Sequence, residues 1–268
     1  MGLEMFDLTG RVAMVSGAAS GMGKAMATAV AEAGADVLLV DFNKEGVERT
    51  ARELGYLGRK IVTAVCDVSD LESIDKLWQT LDKEYGRIDF LGNVAGNGAI
   101  GKPEEIEIDT IKQVLQNLVV GRFYMCQQAG KRMLRQGKGS IVNIGSLASM
   151  NALGRGHIAY SMSMGAVIQM TRELSTEWSS RGVRVNAILP GQVMNPGMEK
   201  RIADDPKIKE TWLRGLPIGR LGQPDEIKGL AVLLASDASS FITGALIPFD
   251  GGNLAKNAGG SHPGMPGN

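Results

Sequence analysis

The sequence predicts an α/β protein: a doubly wound parallel sheet with helices on both faces, folded as one domain. Three observations lead there. A short apolar run at 10–16 meets the turn Gly17-Ala18-Ala19-Ser20-Gly21-Met22-Gly23 and then an alanine-rich helical pattern. Strand-like and helix-like stretches alternate after it, as expected for parallel strands joined by crossover helices. No linker or repeat at a solenoid period divides the 268 residues.

The elements follow in order. Residues 10–16 read as the first strand, because a continuous apolar run of this length suits a strand buried on both faces. A helix is expected over 24–34, a second strand over 36–40 ending at Asp41, and a helix over 44–54. The third strand, 60–66, closes on Asp67; a helix at 71–85 and a strand at 88–93 come next. A long helical stretch covers 108–135, then a strand 140–145, a helix 160–180, a strand 183–189, a helix 226–235 and a last strand 242–249. This is the Rossmann-type order. The domain is placed at 1–255 and a Gly/Pro-rich tail without periodicity at 256–268.

Composition narrows the function. Lys+Arg and Asp+Glu number 29 each, so no bulk charge draws nucleic acid or anionic lipid. The apolar runs are too short to cross a bilayer, and Glu4 and Asp7 interrupt any leader-like start. Cys66 and Cys126 lie far apart and read as reduced thiols of a cytoplasmic protein; their spacing with the two histidines does not propose a metal site. The expected partner is a small molecule, without nucleic acid or membrane.

The chemistry begins in the first βαβ unit. Gly17, Gly21 and Gly23 permit a tight turn and close approach of backbone to a phosphate at a helix N-terminus. Asp41, ending the second strand, is placed to accept hydrogen bonds from a ribose diol and to repel a 2′-phosphate, which favours NAD over NADP. Farther on, Tyr160 and Met164 stand four apart on a helix and share a face. A phenol has an ordinary pKa of about 10, so proton transfer at neutral pH benefits from a nearby cation. The neighbouring turn holds a thioether instead.

Taken together, these residues resemble the short-chain dehydrogenase/reductase family in its single-domain, NAD(P)-dependent form. The likeness covers about 3–254. It rests on the glycine turn, Asn93-Val94-Ala95-Gly96, Asn117, Ser146, Tyr160, Pro190-Gly191, the run from Gly219 to Ile227, and Asp250-Gly251-Gly252. The resemblance implies that Gly17, Ser20, Gly21, Met22 and Gly23 hold the pyrophosphate, and Asp41 the adenosine ribose. Asp67 and Val68 would flank the adenine, Asn93, Ala95 and Gly96 line the cleft, and Pro190, Gly191 and Val193 border the nicotinamide beside Tyr160. It also implies Tyr160 as acid/base for a secondary alcohol or ketone, Ser146 orienting the substrate oxygen, and Asn117 holding a relay water. Ser20 stands where NADP-using relatives often carry a basic residue, a second pointer to NAD.

The family's lysine, four residues after the tyrosine, is Met164 here. A unit charge about 4 Å from a developing phenolate is worth on the order of 4 kcal/mol at an effective dielectric near 20. Reduced activity is therefore expected, and M164K is expected to raise turnover by about tenfold or more. Three accounts stay open: a lysine replaced deliberately to trap a complex, a natural enzyme that tolerates methionine or borrows another cation, and a non-catalytic NAD-binding sensor or scaffold. Arg155 and His157 are the candidate substitutes. Asn97, Asn151, Arg155, His157 and Gln192 are the candidate substrate contacts, and 194–217 the expected lid, with cations including Arg201. Polyols, sugars or sugar acids are favoured, with a 3-oxoacyl thioester as the alternative. The resemblance further implies a homotetramer paired through the helices starting near Ile108 and Tyr160, where Val119, Val120, Phe123, Met125, Val167, Ile168 and Met170 exceed one core-facing stripe.

Overall fold

The structure, a computed structural model, describes residues 2–256, 261, 262 and 265. The remainder of the expected 256–268 tail lies outside the described residues.

Seven strands form one parallel sheet in the order β3-β2-β1-β4-β5-β6-β7. They are β1 (Val12–Ser16), β2 (Asp36–Asp41), β3 (Ile61–Val65), β4 (Phe90–Asn93), β5 (Gly139–Ile144), β6 (Val183–Pro190) and β7 (Leu246–Phe249). Winding runs outward from β1 to β3, then reverses and runs from β4 to β7. The reversal between β1 and β4 leaves a crevice at the carboxyl ends of the strands, where ligands of such sheets bind. On one face α1 (Gly21–Glu32), α2 (Lys44–Leu54) and α9 (Lys228–Ala235) bury Met26, Val30, Val47 and Leu234. On the other, α3 (Leu71–Glu84), α5 (Arg122–Gln136) and α6 (Ile158–Trp178) bury Trp78, Leu81, Met125, Met133 and Leu174. No helix among the described residues is long and apolar enough to cross a membrane.

Three departures from the sequence reading matter. The last strand begins at Leu246, because Gly244, at φ +70°, bends the chain just before it. The expected lid carries two helices, α7 (Pro196–Asp204) and α8 (Lys207–Leu213), with Asn195 capping the first by accepting from the Met198 N–H at 3.0 Å. Most consequential, the long helix at 108–135 is α4 (Ile108–Leu115) and α5 joined by a π-helical turn, Gln116–Gly121. Gly121 belongs there because a Cβ on it would fall 1.7 Å from the Val68 carbonyl oxygen. Of the apolar residues in excess on these helices, Met125, Val167 and Ile168 lie in the core, while Val120 (42%) and Phe123 (40%) are exposed.

Candidate active site

Two connected hollows lie over the carboxyl ends of the strands. The first is a cleft of 660 Å³ between the turns after β1, β2, β3 and β4. Gly17, Ser20, Gly21, Met22 and Gly23 form its floor, with Asp41, Asp67, Val68, Ala95 and Gly96 around it. The turn is built for close approach: Gly17 has φ +74°, and a Cβ on Gly23 would sit 2.1 Å from the Gly17 carbonyl oxygen. Ser20 is the N-cap of α1, yet its side chain caps nothing and the first turn holds no acid. The free N–H groups and the positive end of the helix dipole suit a phosphate. Ser16 Oγ accepts from the Val94 and Ala95 N–H groups at 3.0 and 3.1 Å, tying the two turns that straddle the reversal.

Asp41 borders the cleft with its carboxylate fixed by the backbone. Its Oδ2 accepts from the Ala19 N–H at 3.0 Å and its Oδ1 from the Asn43 N–H at 2.9 Å. The carboxylate stays beside the cleft without a cation among its hydrogen-bond partners. The fit of a dinucleotide is thus supported by the glycine cradle, the uncapped helix end and this acid together.

The second hollow, of 470 Å³, shares Asn97, Asn195 and Gly197 with the cleft. Ser146 and Tyr160 both line it, from the loop after β5 and the first turn of α6. Ser146 is 8% exposed, and its Oγ already accepts from the Ala148 N–H at 3.1 Å, which leaves its O–H proton to donate elsewhere. His157 Nδ1 lies 2.7 Å from the Gly154 carbonyl, and its ring meets that of Tyr160 edge-on at 6.5 Å. Arg155, at φ 52° between Gly154 and Gly156, reaches the same hollow from an exposed loop. Pro190, Gly191 and Gln192 close one side; Met198, Arg201 and Trp212 of α7 and α8 roof it. Gln192 Oε1 is buried without a partner among the described residues.

A third hollow of 300 Å³ lies beneath Tyr160 and holds both Met164 and Arg122, with Val193, Ser146 and Gly96. Met164 is 1% exposed and packs with Val114, Leu118, Ala148, Ala159 and Val167. Arg122 is 3% exposed. It donates to the carbonyls of Ile144 and Ala95, the latter at 2.9 Å, and its Nε has no partner among the described residues. Burial pulls its pKa down from the ordinary guanidinium value, while negative charge on Tyr160 or Cys126 acts to raise it. Asn117, on the π turn, accepts from the Asn97 N–H at 2.8 Å.

Two expected site residues stand elsewhere. Asn93 is buried behind the cleft, its Nδ2 donating to the Arg122 carbonyl at 3.0 Å and to Asn143 Oδ1 at 3.2 Å, so it braces β4 against α5 and β5. Asn151 is exposed and borders neither main hollow, because the short helical turn Leu147–Ser149 carries the chain away. Asn195 and Arg122 were not anticipated. Arg122 leaves a legible trace: it occupies a stripe with Leu118, Met125, Cys126, Ala129 and Met133 in which every other member is apolar. A charge on a core-facing stripe is the signal.

Comparison with known proteins agrees with this geometry. The enoyl-(acyl carrier protein) reductase family model matches residues 17–253. The D-threitol dehydrogenase of Mycolicibacterium smegmatis is 41% identical over 251 residues, 94% of this chain and 95% of that protein. The NAD-dependent glycerol dehydrogenase of Listeria innocua is 38% identical over 251 residues, 94% of this chain and 96% of that one. The crystal structure of a gluconate 5-dehydrogenase from Burkholderia cenocepacia, in complex with NADP and tartrate, superposes with a TM-score of 0.88 at 30% identity, covering 95% of this chain and 99% of that one. Glycine cradle, seven-stranded order and paired Ser146 and Tyr160 thus sit in a chain that belongs to the short-chain dehydrogenase/reductase family of NAD(P)-dependent oxidoreductases.

Proposed function

We propose that the protein is an NAD-dependent dehydrogenase that interconverts a secondary alcohol and a ketone on a polyol, sugar or sugar acid. The observation that carries this reading is the pairing of Ser146 and Tyr160 on one hollow that opens into the glycine-floored cleft. Ser146 donates to the substrate oxygen and fixes its place. Tyr160 takes the alcohol proton as the ketone forms and returns it in the reverse direction. Bound nicotinamide supplies the acceptor or donor of the hydride. Asn117, through its bond to the Asn97 backbone, holds the loop that separates the two hollows and stands where a relay water would be kept.

Asp41 supports NAD: an acid at the ribose edge repels a 2′-phosphate, and Ser20 offers that phosphate no cation. Met164 supports a cost to activity, since a thioether donates nothing to the nicotinamide ribose. The cost is assigned to cofactor affinity. For the substrate, Gln192 Oε1 offers an unmatched acceptor, and Asn97, Asn195 and His157 add polar groups around the same hollow. Arg155 and Arg201 favour an anionic end, which suits a sugar acid better than an acyl thioester. The named activities of the threitol and glycerol dehydrogenases point the same way. Exposed Val120 and Phe123 support a homotetramer paired through the α4–α5 stretch and α6, and the buried free thiols a cytoplasmic setting.

The test is a spectrophotometric screen of D-threitol, glycerol, galactitol and gluconate with NAD and with NADP. NADH formation from at least one, with NAD preferred, is expected; a preference for NADP would reverse the Asp41 argument, and NADH binding without any turnover would favour a sensor.

A further inference from the structure

We infer that Arg122 supplies the fixed positive charge that serves Tyr160 during proton transfer, in the place that Met164 leaves uncharged. The inference rests on the dehydrogenase reading above and deepens it by naming the cation.

Four observations converge. Arg122 and Tyr160 face the same hollow, and Met164 fills the apolar side of it. The guanidinium is buried, yet all its hydrogen-bond acceptors are carbonyls, those of Ile144, Ala95 and Val94. Among the described residues no carboxylate lines this hollow or the substrate hollow above it. A buried cation without an anion is unfavourable, and the group that turns anionic beside it is Tyr160 as its proton moves to the substrate. The unpartnered Nε is a donor left over for that role.

The π turn explains how α5 delivers the charge. On an α-helix residues five apart point roughly 140° away from each other. Winding with i→i+5 bonds returns them to one face. Asn117 and Arg122 therefore both reach Gly96: a Cβ there would lie 3.1 Å from Asn117 Oδ1 and 3.3 Å from Arg122 Nη2. The other charged or titratable groups about Tyr160 are His157 and Arg155 from the preceding loop, Arg201 from α7, and Cys126 behind Arg122 on α5. Arg155 is exposed and His157 is tied to the Gly154 carbonyl, so neither is a fixed buried charge. Arg122 does not touch the substrate; it acts through the phenol.

The experiment is a cycle of wild type, R122M, M164K and R122M/M164K, each checked for fold by circular dichroism and NADH binding. In R122M, kcat should fall about 100-fold while KM for substrate moves less than about threefold. Adding M164K to R122M should recover about tenfold or more, because an ammonium then stands one turn from the phenol. The gain of about tenfold that the sequence alone leads one to expect from M164K is thereby revised: with the Arg122 charge already in place, M164K alone should raise kcat by less than about threefold, its benefit appearing in KM for NAD. A double variant no faster than R122M, or a gain of about tenfold from M164K alone, overturns the proposal. If R122M fails to fold, R122K takes its place: kcat should stay within about tenfold of wild type, and M164K on that background should gain under about threefold. A second readout is the ultraviolet signal of phenolate formation, wild type minus Y160F, which should move to higher pH in R122M; an unmoved signal overturns the inference. Should wild type oxidise no alcohol, the dehydrogenase reading fails, and the phenolate signal still decides the role of Arg122.

Discussion

Asn117 and Arg122, five residues apart on one helical stretch, converge on the space where Gly96 lacks a side chain. A methyl on Gly96 would lie 3.1 Å from Asn117 Oδ1, 3.3 Å from Arg122 Nη2 and 2.4 Å from Leu118 Cδ2, at a φ of +146°. The loop after β4, the π turn and the start of α5 therefore form one packed unit under Tyr160. Ala at this position must push that unit apart. G96A should lower turnover by about tenfold and destabilise by about 1–3 kcal/mol. Thermal unfolding and steady-state rates check it; unchanged values for both would mean the unit is loose.

Asp41 should set the choice of dinucleotide. D41A removes the charge that opposes a 2′-phosphate, so kcat/KM with NADP relative to NAD should rise by about 10- to 100-fold. Paired assays at fixed substrate read the ratio directly. An unaltered ratio would place the discrimination elsewhere in the cleft.

Arg201 separates the substrate classes. It roofs the substrate hollow from α7 beside Trp212 and Met198. If a carboxylate binds there, R201A should raise KM for a sugar acid by about tenfold or more and leave that of a neutral polyol within about twofold. Equal changes for both would assign Arg201 to the folding of the roof.

Alkaline pH should weaken the fold through Cys126. Burial pushes its thiol up from 9.0 to about 11, opposed by a hydrogen bond from Asn93 and the charge of Arg122. The folded state thus binds the thiol proton more tightly than the unfolded chain. Its contribution is fully present below about pH 9 and is lost as pH rises through about 11. The fall in Tm between about pH 8 and pH 11 should be smaller in C126A than in wild type. Parallel pH curves for the two would deny Cys126 this part.

Most of the architecture was legible because strands buried on both faces read as continuous apolar runs, and β1 and β2 do so plainly. The cradle was legible for a different reason: positive φ at Gly17 and Gly21 and the contact of Gly23 with Gly17 demand glycine, so backbone geometry is written into residue type. The π turn was not. Residues 108–135 read as one helical pattern, and Gly121, which closes the π turn, is a glycine that close packing inside a regular helix would explain as well. Arg122 does leave a trace, as the one charge on an apolar stripe, but that it meets Asn117 at Gly96 depends on that winding and is not written in the stripe. Asn93 and Asn151 show the reverse limit: a polar residue next to a site in sequence can face the core or the solvent.

The account stands most directly on Tyr160 as the proton-transferring group. Wild type and Y160F should be compared for NADH formation from the preferred polyol or sugar acid, alongside NADH binding by fluorescence. The expected result is equal binding and a kcat lower by about 10²–10⁴-fold in Y160F. A Y160F enzyme that turns over at the wild-type rate would contradict it.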